Sequence, residues 1–372
     1  MKIGILTVPF NNNYGGYLQS YALMTVLKKM GHKPTLIMRR HNPRKYDILF
    51  FIKYFIKGIV MSVIKGKRFP CKFSVEGSYY TQGKNMQSFV NKYIQPQTKF
   101  VYSDEELIKE CEGKFDAYIV GSDQVWRAVY VPNIVGNMFL DFTEGWEVKR
   151  LAYAASFGTD NPEYTDEEKE ICGKLITNFD AVSVREHSGL QVFENFRWNA
   201  NNLDVVLDPT LLLTKEDYNK FLPIENQVVK NKVFCYVLDR DDDSNAVIQA
   251  ICQNLHKSLY EITDIQNGSF VLPSIETWLS AIRDSDFVIT DSFHGTVFSI
   301  IYNKPFAVYV NKSRGAARFL SLLEQLGLEN RVIENRDALT AVLDEEINWP
   351  IVNRKLEGLK CSSNKFIERN LK

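Results

Sequence analysis

The stretch from Asp286 to Val310, DFVITDSFHGTVFSIIYNKPFAVYV, leaves a folding chain few options. Phe287, Val288, Ile289 and Thr290 form a short β-branched run, the pattern of a buried strand. A polar turn, Asp291-Ser292-Phe293-His294-Gly295, follows it. Residues 296–302 then carry apolar side chains at helical spacing, and Asn303-Lys304-Pro305 stops that helix before a second apolar strand at 306–310. The pattern predicts a β-turn-α-β unit with His294 where strand gives way to helix. In open α/β sheets that edge is where ligands bind, and the helix N-terminus favours an anion there. The expectation is an active site at His294 beside a phosphate-bearing substrate.

The rest of the chain repeats the alternation. Residues 3–8 read as a strand, 9–16 as a polar turn, 17–30 as a helix and 35–38 as the next strand, which implies a parallel sheet. Further strands are expected at 115–120, 150–155, 180–184 and 205–207, each running into a polar or glycine-bearing turn. Such turns line one carboxyl edge of a parallel sheet. Residues 82–97 read as a polar, irregular connection. Beyond Thr210 the alternation restarts, with strands at 232–238, 258–262 and 331–333, helices at 244–255, 277–283, 316–326 and 336–343, and a charged amphipathic helix at 352–371. The fold class is therefore α/β, with two Rossmann-like domains facing across a cleft. The expected boundaries are 1–210 for the acceptor-side domain, 211–350 for the donor-side domain and 351–372 for the C-terminal helix.

A chain of 372 residues exceeds one ordinary core. With 45 basic and 45 acidic residues, no net charge draws it to nucleic acid. The six cysteines are scattered without C-x-x-C or histidine spacing, so reduced thiols and no metal site are expected. The N-terminus enters a strand directly and lacks a signal-peptide core, so a cytoplasmic location is expected. The most apolar stretch, residues 48–64, is too short and too charged to span a bilayer. It reads either as a helix buried against the sheet or as an interfacial helix at the inner face of an anionic membrane.

Of the histidines, only His294 combines an acidic neighbour (Asp291), hydroxyls (Ser292, Thr296), a glycine (Gly295) and a helix N-terminus. An imidazole there suits proton transfer near neutral pH, with Asp291 either orienting the ring or capping the helix. Arg185 ends a strand and offers a planar fork for phosphate or carboxylate, or else a surface ion pair with Glu186. Arg314 and Arg318 follow the second strand of the 286–310 unit and can reach the same cleft or lie on a solvated face. Ser122, Asp123, Gln124 and Trp126 place polar groups beside an indole, which suits a sugar ring, although Trp126 reads equally as core. Asn13, Tyr14, Gly15 and Gly16 lead into a helix; they form neither G-x-G-x-x-G nor a P-loop, so no dinucleotide or Mg-ATP site is expected.

In order along the chain, Asn13-Tyr14-Gly15-Gly16 with Gln19, residues 116–126 (DAYIVGSDQVW), Tyr153 to Gly158 (YAASFG), Val182 to Glu186 (VSVRE), Leu207 to Thr210 (LDPT) and Thr290 to Gly295 (TDSFHG) resemble the polysaccharide pyruvyl transferase family. The resemblance implies a fold of GT-B glycosyltransferase type. It also implies transfer of pyruvate from phosphoenolpyruvate to two hydroxyls of a sugar in a polysaccharide or its precursor, with no cofactor beyond phosphoenolpyruvate as co-substrate; the acceptor partner is either a sugar or a lipid-linked oligosaccharide. His294 then matches the family's C-terminal histidine, with Asp291 or Asp123 as partner in proton transfer. Arg185, Ser292, Gly295 and Thr296 would face donor phosphate; Ser292 stands where some members carry an arginine, so Arg314 or Arg318 is expected to help. Asn13, Tyr14, Gly15, Gly16, Gln19, Ser122, Gln124, Trp126 and Ser156 would line the acceptor side. A nucleotide-sugar glycosyltransferase and a non-catalytic glycan-binding protein are the alternative readings.

Overall fold

In a computed structural model the described residues are 1–41, 83–262, 264–266, 269–310, 317–333 and 339–372. The expected segment 48–64 and Arg314 lie outside them, and of Arg318 only its helical backbone is described.

The first half runs β1 (Lys2–Leu6), α1 (Tyr14–Lys29), β2 (Lys33–Leu36), α2 (Lys84–Tyr93), α3 (Asp104–Cys111), β3 (Ala117–Val120), β4 (Lys149–Ala155), α4 (Asp166–Ile176), β5 (Ala181–Val184), α5 (His187–Phe196) and β6 (Asp204–Val205). A 3-10 turn, Pro209–Leu212, and α6 (Lys215–Asn219) lead to the second half. There follow β7 (Lys232–Tyr236), α7 (Asp242–Asn254), β8 (Ser258–Glu261), a small antiparallel pair β9 (Asp264–Gln266) and β10 (Ser269–Val271), α8 (Ile275–Asp284) and β11 (Phe287–Thr290). The chain continues with α9 (Phe293–Ile301), β12 (Phe306–Tyr309), α10 (Ala317–Leu326), β13 (Val332–Ile333), α11 (Leu339–Asp344) and α12 (Trp349–Asn370).

Among the described residues two wholly parallel main sheets result, ordered β2-β1-β3-β4-β5-β6 and β13-β12-β11-β7-β8. Their central strands β3, β5, β11 and β12 are buried at every residue, as expected of parallel strands covered on both faces by helices. The order reverses between β1 and β3 in the first sheet and between β7 and β11 in the second. These are the switch points at which α/β sheets open a crevice at their carboxyl ends.

The two halves share a core. One cluster of buried side chains joins Leu18, Leu23 and Leu27 of α1 to Trp278 and Ile282 of α8, Phe298 of α9 and Phe366 of α12. The Tyr14 ring stacks on Trp278 at 4.9 Å, and its hydroxyl donates to the Pro273 carbonyl at 2.9 Å. Helix α12, charged outside and apolar at Val352, Leu356, Phe366 and Ile367, returns to the first sheet. There Ser363 Oγ accepts from the Leu207 amide at 3.0 Å, and Arg369 meets Asp204 at 3.2 Å.

Two local expectations are corrected. Residues 82–97 are not an irregular connection, because α2 occupies most of them. Its Met86, Phe89 and Val90 are spaced to bury one stripe, and Phe89 lies 5.3 Å from the ring of Phe221. Helix α1 begins at Tyr14 rather than at Tyr17. The Asn13 side chain accepts from the Gly15 amide, so both glycines fall in the first helical turn.

Candidate active site

The carboxyl edges of the two sheets meet at Gly15 and His294. A Cβ on Gly15 would sit 1.9 Å from His294 Nδ1, so the imidazole rests directly on the glycine. His294 is the second residue of α9, whose N-cap is Ser292, and Gly15 the second of α1. Neither helix carries an acidic residue in its first turn. Two positive helix ends thus face the same seam.

Behind the imidazole lies a buried charge network. Asp208, which the sequence reading did not single out as a site residue, is its centre. Its Oδ1 accepts from the Thr210 amide at 3.0 Å and hydroxyl at 2.6 Å; its Oδ2 accepts from Ser122 Oγ at 2.8 Å and Arg185 Nη1 at 2.9 Å. His294 Nε2 is 3.8 Å from the same Oδ2. Burial pushes the Asp208 carboxyl up, but His294, Arg185 and the Thr210 hydrogen bonds outweigh it and hold it below the usual carboxylate range. Burial likewise works against the charge of Arg185, yet Asp208, Glu186 and Asp123 outweigh it and raise its pKa above the ordinary arginine value. Asp123 lies 3.7 Å from Arg185 Nη2 and has a left-handed φ of 82°. Such a conformation is uncommon for a non-glycine residue and concentrates at functional sites.

The candidate residues separate into those that reach the seam and those that do not. Asn13, Gly16 and Ser292 are partly exposed; His294, Asp123 and Gln124 keep 5%, 8% and 7% of their surface. Together they form the mouth. Arg185 makes no surface ion pair: its side chain has no exposed area, it lies among Asp123, Glu186 and Asp208, and the Phe293 ring lies against the guanidinium at 4.5 Å. Trp126 is corrected. Its indole is fully buried against Phe139 and donates to the Met138 carbonyl at 2.9 Å, so it is core and not a sugar platform. The exposed aromatic at this edge is Tyr130, at 42%. Arg127 lies over its ring at 4.6 Å and donates to its hydroxyl at 3.1 Å and to Gln124 Oε1 at 3.2 Å.

Others serve the frame. Asp291 does not cap the helix, a role that Ser292 takes; its two oxygens accept from the Leu238 and Asp239 amides at 2.8 and 3.0 Å, tying β11 to the loop after β7. Gly295 lies so close to β11 that a Cβ would meet Thr290 Oγ1 at 2.2 Å, and the fully buried Thr296 hydroxyl donates to the Ser292 carbonyl. Tyr14 and Gln19 are buried, the Gln19 amide donating to Thr7, Gly16 and Ser20. Ser122 and Ser156 are fully buried; Ser156 donates to Glu186 at 2.6 Å. These residues support the site from below and do not line it.

In a comparison with protein families, residues 13–313 match the family model described as polysaccharide pyruvyl transferase. The chain belongs to the polysaccharide pyruvyl transferase family. This pyruvyl transferase family member is accordingly a transferase of polysaccharide biosynthesis, with a sugar or polysaccharide as acceptor class. A comparison with curated proteins found no match. Among solved structures, the chain is similar to UDP-GlcNAc 2-epimerase from Neisseria meningitidis bound to UDP-GlcNAc, with a TM-score of 0.54 at 9% identity over 100% of this chain and 99% of that one. It is also similar to UDP-N-acetylglucosamine 2-epimerase from Rickettsia bellii, with a TM-score of 0.51 at 12% identity over 100% and 96%. At these identities the likeness concerns the fold alone. It agrees with the two parallel-sheet domains of a GT-B-like architecture. Among the described residues, no helix is long and apolar enough to cross a membrane.

Proposed function

We propose that this family member transfers pyruvate from phosphoenolpyruvate to two hydroxyls of a sugar, forming a cyclic ketal and releasing phosphate. The observation that carries the reading is the placement of His294: a family-motif histidine, at a helix N-terminus, pressed against Gly15 where the two sheet edges meet. The chemistry needs an acid for carbon and a cradle for phosphate, with no change of oxidation state overall. His294 protonates the methylene carbon of the enol phosphate, leaving an oxocarbenium-like carbon. One sugar hydroxyl adds to that carbon and gives up its proton. Phosphate then departs with the electrons of its C–O bond, and the second hydroxyl closes the ketal as its proton is lost. One hydroxyl proton replaces the one given to carbon, and the other leaves with phosphate.

Ser292 and the Phe293 and His294 amides at the start of α9 are the phosphate cradle in this reading, since the Gly295 and Thr296 amides donate to Ser292. Asp123 at the mouth is the acceptor's base, and Gln124, Arg127 and Tyr130 are the acceptor platform. A ring held by an arginine beneath it offers a sugar a flat apolar face at little entropic cost. Residues 48–64 are proposed to touch an anionic membrane if the acceptor is lipid-linked. Vesicle co-sedimentation of a Phe51→Asp/Phe55→Asp variant tests that point.

The main test is phosphate release from phosphoenolpyruvate across a panel of glycan acceptors, with the product read by mass. His294→Ala is expected to abolish release, and Tyr130→Ala to raise the acceptor KM. Full turnover by His294→Ala removes the histidine from the mechanism. A melting temperature that rises with a nucleotide sugar and not with phosphoenolpyruvate overturns the donor assignment.

A further inference from the structure

We infer that Asp208, clamped by Arg185, Ser122 and Thr210, is the positioning residue that orients His294 and keeps its ring charged for proton donation. The inference rests on the reading of His294 as the general acid. The donors that fix Asp208 all belong to the first half of the chain, and among the described residues His294 is the group that reaches it from the second. The carboxylate is therefore held from the first half, and the ring meets it from the second.

From the first half Asp123, Glu186 and Asp208 surround Arg185, at 3.7, 3.5 and 2.9 Å. From the second half the nearest carboxylate in sequence, Asp291, is occupied by two backbone amides. A protonated His294 meets the Asp208 carboxylate of this group at 3.8 Å. Burial and the helix N-terminus work against charge on the ring, and that carboxylate works for it. Arg185 contributes by holding Oδ2 in place, and Phe293, the residue before His294, stacks on that same guanidinium. The ring is thereby fixed on two sides. Its Nε2 edge is turned to Asp208 and its Nδ1 edge to Gly15 at the seam.

Asp208→Asn, similar in volume and without the charge, is the test, read in two ways on the full-length chain. The first is an NMR titration of the His294 ring, assigned with His294→Asn and recorded without any substrate. The midpoint is expected to move to lower pH in Asp208→Asn. An unmoved or rising midpoint overturns the inference, whatever the donor proves to be. The second is turnover: kcat falls by about 10²-fold or more with a smaller change in the phosphoenolpyruvate KM, and the alkaline limb of the pH profile shifts to lower pH. An unchanged limb also overturns it. Should Asp208→Asn fail to fold, Ser122→Ala loosens one tether of Oδ2 while keeping the charge. It is expected to lower kcat about tenfold, and wild-type kcat in that variant counts against the clamp. A failure of phosphoenolpyruvate turnover in the wild type refutes the proposed reaction but leaves the titration result standing.

Discussion

Gly15→Ala is the sharpest perturbation the site allows. Gly15 has no left-handed backbone; it lies in the first turn of α1, where alanine is ordinarily favoured over glycine by about 1 kcal/mol. The new methyl would nevertheless fall 1.9 Å from His294 Nδ1, 2.3 Å from Cε1 and 2.5 Å from Cγ, against the 3.0 Å that real Cβ atoms respect. The ring or the helix must therefore give by at least about 1 Å at Nδ1. A misplacement of that size costs about 10²-fold in rate, and overpacking costs about 1–3 kcal/mol. Gly16→Ala is the matched control. It lies in the same turn with the same propensity gain, and its Cβ meets Asp123 Oδ2 at an ordinary 3.4 Å. Measured side by side, Gly15→Ala is expected to lose kcat by about two orders of magnitude with a lower melting temperature, and Gly16→Ala to lose far less of either. Equal behaviour of the two variants in phosphate release and in melting refutes the contact between the halves.

Trp126→Ala is expected to destabilise by about 3–5 kcal/mol in urea unfolding, because it empties a core position beside Phe139 and strands the Met138 carbonyl. Tyr14→Phe removes the donor to Pro273 and keeps the stack on Trp278, so a loss of about 1 kcal/mol with an unchanged acceptor KM is expected. Burial opposes the charge of Asp217, but Lys220 and Lys29 outweigh it and hold its carboxyl well below the usual range. A depressed carboxylate stabilises the fold above its unfolded pKa of about 4 and loses that contribution as pH falls toward its folded value. Urea midpoints recorded between pH 7 and pH 2 are therefore expected to fall more steeply in the wild type than in Asp217→Asn.

The strands of both main sheets were legible to within two residues, because a β-branched run covered on both faces is a purely local signal. Helix α2 was not, since three apolar residues among polar ones and an N-cap glycine at Gly83 give little local cue. Its place is set by Phe221 and Tyr21, far along the chain. Helix α3 did carry a cue, in Ser103 followed by three acidic residues. Around His294 the strand, turn and helix were legible, but which neighbouring side chains are buried and which exposed was not. Trp126 and Tyr130 are four residues apart and both aromatic; only the packing on Phe139 decides which faces inward. Asp208 looked like an ordinary Asp-Pro-Thr turn, and that turn does exist in its bonds to Thr210. Its second role needs Arg185 and His294, which the fold alone brings to it.

The return of α12 to the first sheet has a consequence for how the molecule is made. The first sheet is complete in sequence at β6, yet the Leu207 amide is bonded by Ser363 and Tyr153 lies against Phe366. During synthesis those groups wait while the whole second half is translated. Domains generally fold as units in the order in which they emerge, but here the leading one stays unfinished until the last helix is free to dock. A product lacking α12 would thus leave the Leu207 amide and the Tyr153 ring without these partners.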